Sequence, residues 1–150
     1  MWSSIGETLR DHHEGDAAAM ILKFPIATVA EQSTDFRRVL WTGDNSQLVT
    51  MTIPPGGEIG EETHPHTDQL LAFVSGTGEA IIAGESEQIA AGDLVVVPAG
   101  TVHNFRNTGA DPLVLWTMYA PPEHADGTVH ATKEEAEAAE EAGDDEPPAS

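Results

Sequence analysis

Gly92 to Asn107 reads GDLVVVPAGTVHNFRN, and this stretch decides the fold. Leu94, Val95, Val96 and Val97 form a short apolar run between turn residues, the pattern of a buried strand. Pro98 and Gly100 break the run into a tight corner. The chain restarts at Thr101, and strand alternation puts Thr101, His103 and Phe105 on one face. The corner therefore delivers a histidine onto the face that the next strand buries. A buried imidazole needs polar partners, and the rest of the chain must supply them.

Outward from this stretch the pattern is that of further short strands. FRRVLWT (36–42), SQLVTMTI (46–53), QLLAFV (69–74), a segment from Glu79 to Ala83, Gln88 to Ala90, and LVLWTMY (113–119) are separated by Gly, Pro, Asn and Asp turns. Gly84-Glu85 reads as a hairpin turn. About eight strands with no long helix between them predict an all-β sandwich or barrel and disfavour a parallel α/β sheet. Three segments are expected: an N-terminal extension (1–34), the β-barrel (35–122), and a C-terminal segment with an acidic tail (123–150). In the first, Ser3 or Ser4 caps a short helix through Arg10, and His12 and His13 read as surface histidines. In the last, eight acids stand between Glu134 and Glu146, with alanine as nearly the only apolar residue. Such a tail is expected to be solvated and disordered, and its removal after Thr132 to leave stability unchanged.

The charge narrows the function classes. Twenty-six acidic residues against six basic ones give a formal net charge of -20, which repels nucleic acid and anionic membranes. With only two lysines, the composition resembles that of proteins from salt-accumulating archaea; acidity for solubility is the plainer alternative. Cysteine is absent, which excludes disulfides, thiolate metal sites and cysteine nucleophiles. The first residues are unlike a signal peptide, and no apolar run approaches the ~18 residues of a membrane span. A soluble cytoplasmic protein is expected.

The candidate partners of His103 lie in Gly60 to Gln69, GEETHPHTDQ. On an extended strand His64 and His66 leave the same face. Three imidazoles from two strands suit zinc, iron, copper, nickel or manganese. These residues resemble the cupins, which carry two motifs on a small jelly-roll barrel. The second motif is G, five residues, PxG, two residues, H, three residues, N. It is matched in full by Gly92, Pro98, Gly100, His103 and Asn107. The first is G, five residues, HxH, three or four residues, E, six residues, G. It is matched with departures: six residues rather than five separate Gly57 from His64, two residues separate His66 from Gln69, and Gln69 stands where the family has glutamate, seven before Gly76.

The resemblance implies a double-stranded β-helix holding one divalent transition metal (iron, manganese, zinc or nickel) on His64, His66, Gln69 and His103. Strand parity instead puts Asp68 on the face of the two histidines, leaving Asp68 as the alternative to Gln69. With glutamine as the oxygen ligand, the metal keeps its full double charge and is held more weakly than with glutamate. Leu71, Phe73 and Phe105 are expected to line the pocket, and Arg106 to make a surface ion pair. Residues 120–130, with His124 and His130, are expected to cap the barrel mouth or to pack in a homodimer interface. Two functions stay open: a metal-dependent enzyme of dioxygenase or isomerase type on a small organic substrate, and a non-catalytic barrel that binds or senses a small molecule. No phosphate-binding loop, nucleotide fingerprint or serine-nucleophile motif is present.

Overall fold

The computed structural model describes residues 21–149. The helix expected up to Arg10, with His12 and His13, lies outside them. A short helix, α1 (Ile26–Gln32), precedes eight strands: β1 (Arg37–Thr42), β2 (Gln47–Ile53), β3 (Asp68–Ser75), β4 (Thr77–Ile82), β5 (Glu85–Ala90), β6 (Leu94–Val97), β7 (His103–Asn107) and β8 (Leu113–Ala120). A two-residue strand, β9 (Val129–His130), and a second helix, α2 (Lys133–Glu141), follow.

The strands form a six-stranded sheet in the order β6-β3-β8-β2-β1-β9 and a three-stranded sheet in the order β5-β4-β7. Every pairing is antiparallel. This is the all-β barrel expected from the turn spacing, in the jelly-roll form that the resemblance to the cupins implies. β8, LVLWTMYA, is central because it is apolar nearly throughout; it takes β2 on one side and β3 on the other. β5, ESEQIA, sits at an edge with four exposed polar residues, where charge discourages pairing with another chain. Val49, Met51 and Ile53 of β2, with Leu71, Phe73 and Leu115, pack against Ala80 and Phe105 of the smaller sheet. The tight connection between β4 and β5 falls at Ala83-Gly84, one residue earlier than expected, and both adopt positive φ, as a two-residue hairpin turn requires.

Two motif positions are explained by backbone. Gly76 has φ +90, and a Cβ there would stand 2.5 Å from the carbonyl oxygen of Pro112. Gly100 has φ +84, and its amide donates to the carbonyl of His64 at 2.8 Å. The Pro-Ala-Gly corner thus holds the loop that carries the first motif.

The acidic tail corrects the expectation of disorder. α2 is capped by Thr132, whose hydroxyl accepts from the Glu135 amide at 3.2 Å, while the Glu135 carboxylate accepts from the Ala131 amide at 3.0 Å. That reciprocal pair is a variant of the capping box. Ala136 is buried in the core. Beyond the helix Asp145 is buried, accepting from His124 Nδ1 at 2.7 Å and from the Ala125 amide at 3.2 Å. The tail lacks an apolar stripe, but it docks through one alanine, a capped helix start and a single buried carboxylate. α1 also escaped the sequence pattern, since it is two turns long and has no side-chain cap.

Candidate metal centre

The site lies where the loop between β2 and β3 crosses the start of β7. Glu62 and His103 form an isolated antiparallel bridge and exchange both backbone hydrogen bonds, at 2.9 and 3.0 Å. Residues paired this way stand directly opposite with side chains on one face. Glu62 is therefore delivered beside His103 by backbone pairing. His64 follows two residues later, its ring centroid 5.2 Å from that of His103. One donor atom from each of Glu62, His64 and His103 lies within 4.8 Å of the others, a set that can hold a metal ion.

Each histidine is oriented by its outer nitrogen. His103 Nδ1 donates to the Thr101 carbonyl at 2.8 Å. A carbonyl can only accept, so Nδ1 carries the proton and Nε2 of the neutral ring presents a lone pair. His64 Nδ1 faces Glu123 Oε2 at 3.3 Å. Both Nε2 atoms are buried without a hydrogen-bond partner. Burial alone would lower the His64 pKa, but the hydrogen bond to Glu123 and the charge of Glu62 outweigh it and raise it. Burial likewise works against the Glu123 carboxylate, and the hydrogen bond and charge of His64 overcome it to hold the carboxyl below its usual range.

Gln69, on β3, points inward and is buried. Its Nε2 donates to Thr117 Oγ1 at 3.0 Å, and Thr117 donates in turn to the Leu70 carbonyl at 2.8 Å. That relay fixes which end of the amide faces Thr117 and leaves Oε1 buried and unpartnered. Asp68, the alternative from parity, is exposed and accepts from the Ala99 amide at 2.8 Å. His66 is exposed on the turn that begins at Pro65. His64-Pro65-His66 is a turn rather than an extended strand, so the two histidines do not share a face. Leu71, Phe73 and Phe105, expected to line the pocket, are instead packed core, stacked beneath the site with Phe105 6.1 Å from His103, centroid to centroid. Arg106 pairs with Glu79 on the surface at 3.4 Å, and Asn107 ties the carbonyls of Ile53 and Asp111 together, as expected.

Glu62 is the residue that sequence reasoning missed, and a signal for it exists. Gly56, five residues, Glu62, one residue, His64, four residues, Gln69, six residues and Gly76 reproduce the first-motif spacing throughout. Only two residue types differ, glutamate for the first histidine and glutamine for the glutamate. Anchoring the motif on the visible HPH placed it two residues late.

Beyond the donor set, Tyr119 of β8 packs edge-on between His64 and His124, with centroids 5.8 and 4.9 Å away. Burial pushes its hydroxyl far above the ordinary tyrosine range, so it stays protonated.

Comparison with known proteins agrees with this fold. The profile of the cupin domain (Cupin_2) matches residues 49–119. The chain is 42% identical over 123 residues to the uncharacterized protein YrkC of Bacillus subtilis, covering 77% of this chain and 66% of that one. It is 34% identical over 98 residues to the uncharacterized protein L612 of Acanthamoeba polyphaga mimivirus, covering 63% and 61%. The chain thus spans about two thirds or less of the length of these two relatives. The crystal structure of BH2720 from Bacillus halodurans superposes with a TM-score of 0.78 at 40% identity, covering 82% of this chain and 98% of that one. These relatives are bacterial or viral, so the likeness to salt-accumulating archaea rests on composition alone.

Proposed function

Because the chain belongs to the cupin superfamily, we propose that it binds one divalent transition metal between the two sheets and acts there on a small organic molecule. The ligands are Glu62, His64 and His103, with Gln69 Oε1 as the fourth. The observation that carries this reading is a set of three buried, unpartnered acceptor atoms: His64 Nε2, His103 Nε2 and Gln69 Oε1. Such orphans are costly unless something fills the space between them. The far end of each side chain is locked by Glu123, Thr101 or Thr117, the outer-shell arrangement that metal ligands require. Two imidazoles, one carboxylate and one amide oxygen suit iron, manganese, zinc or nickel.

The charge of this set differs from that of three histidines and a glutamine. The carboxylate stands at Glu62 and the neutral amide at Gln69, so the donor set carries one negative charge and a divalent metal held there would keep a single net positive charge. Bound there, a divalent metal supplies Lewis-acid polarisation of a substrate oxygen. The protein's own part is to hold the imidazoles in one tautomer, to keep the Gln69 amide from rotating, and to exclude water from below with the Phe73–Phe105 pair. Tyr119, buried and neutral, packs edge-on against His64 and helps to hold its ring in place. A dioxygenase or an isomerase is compatible with this donor set, as part of this proposal.

The test is elemental analysis of protein purified without added metal. The parent should carry about one metal per chain; His103→Ala and Glu62→Ala should lose it, and His66→Ala should keep it. Equal metal in parent and His103→Ala would sink the proposal.

A further inference from the structure

A cleft of about 390 Å³ has Glu62 and His64, two of the four proposed metal donors, on its walls. Three separate stretches bring carboxylates to its walls: Glu61 and Glu62 from the loop before β3, Glu123 after β8, and Glu140, Asp145 and Glu146 from the docked tail. Among the described residues no lysine or arginine lines it. Two histidines complete it, His64 and His124, which are only 6% and 5% exposed. The Nε2 of each is buried without a hydrogen-bond partner, that of His64 lying 3.8 Å from Glu62 Oε2. The Nδ1 of each faces a carboxylate, Glu123 for His64 and Asp145 for His124. In the neutral ring each Nε2 is then a lone-pair acceptor.

Every polar side chain on these walls can accept a hydrogen bond; its side-chain donors are the Thr63 hydroxyl and the two Nδ1–H groups, which face Glu123 and Asp145. The other described clefts that carry several acids also contain Lys133, and one of them Arg37. This one has no cation on its own walls, although Arg37 lies close enough behind them to act on His64 and Asp145, and it holds a buried imidazole, His124, with an unanswered lone pair. A molecule that satisfies these groups must bring N–H donors and positive charge; a carboxylate or phosphate meets like charge on all sides. We propose that the cleft admits a small organic cation, a primary amine or diamine, with its ammonium held between His124 and the tail carboxylates. The tail is then a wall of the binding site. The proposal rests on the metal-centre reading for what lies at the cleft floor, but its charge selection stands without the metal.

The experiment compares 1,4-diaminobutane with succinate, its dianionic counterpart of equal chain length, on the full chain at low salt. Affinity is measured by calorimetry on metal-free protein, and proximity to the floor by paramagnetic relaxation of ligand protons on Mn²⁺-loaded protein. The diamine is expected to bind at least tenfold more tightly than succinate. Glu140→Gln with Glu146→Gln should weaken it at least threefold, whereas Glu85→Gln with Glu87→Gln, on the exposed edge strand β5, should leave it unchanged. Succinate binding as tightly as the diamine, no binding of either, or equal effects of the two double variants each overturn the inference. A protein that takes up no Mn²⁺ yet keeps the cleft-specific diamine preference refutes the metal centre and leaves this inference standing.

Discussion

The docking of the acidic tail can be broken at one residue. Asp145 accepts from His124 Nδ1 at 2.7 Å and from the Ala125 amide at 3.2 Å, and the His124 and Asp145 side chains are only 6% and 7% exposed. Asp145→Ala leaves both donors without an acceptor, at about 1–3 kcal/mol each if they stay buried. They need not stay buried, because the tail can release and let water reach them. The loss is then capped at the docking free energy of the tail itself. A loss of about 2 kcal/mol, the size of one hydrogen bond to a charged group, lowers Tm by roughly 4–8 °C for a chain of this size. Asp145→Ala and truncation after Thr132 should therefore melt at the same temperature, both below the parent. Amide exchange at Ala136 should accelerate in the point variant. The acid titration adds a signed test. Burial raises the Asp145 pKa, but the hydrogen bond and charge of His124 prevail and lower it below 3.8. The stability gap between parent and truncated chain is thus full above the unfolded value of 3.8 and closes as pH falls through the lower folded value. Parent and truncated protein melting within about 1 °C of each other at neutral pH would refute the reasoning.

Three further outcomes are expected. In metal-free protein the raised His64 pKa gives a stabilising contribution that is full below 6.5 and lost as pH rises through the folded value; the same proton competes with metal, so metal affinity measured by calorimetry should rise with pH over that window. Glu62→Gln should weaken metal retention about tenfold or more against a chelator, and Gln69→Glu in the parent should strengthen it, because each changes the ligand charge by one in opposite directions. Gly76→Ala should cost about 2 kcal/mol or more by denaturant unfolding, since it combines φ +90 with a Cβ 2.5 Å from the Pro112 carbonyl; a loss under 0.5 kcal/mol would show that the turn can relax.

Much of the fold is written in local pattern. Strand length, turn residues and alternation are short-range properties, so the eight barrel strands could be read within a few residues of their ends. Gly92 to Asn107 could be read in full, because its corner, its inward His103 and its turn-closing Asn107 depend on neighbours in the chain. The tail's helix start carries a capping signature in Thr132 and Glu135 that the expectation of disorder passed over, and its docking has no local signature. Docking depends on a buried contact between His124 and Asp145, twenty-one residues apart, and no periodicity announces a contact of that kind. The metal donors divide the same way. Sequence by itself determined that His103 faces inward and that a histidine-bearing segment precedes the QLLAFV strand. Tertiary structure alone decided which residues of that loop meet it. His64 and His66 look equivalent two residues apart, but Pro65 begins a turn and sends His66 to the surface. Glu62 looks like one acid among twenty-six, yet its backbone pairs with His103 and puts it at the centre. Side-chain direction in a loop is set by the strand against which the loop is hydrogen-bonded, and that strand lies forty residues away along the chain.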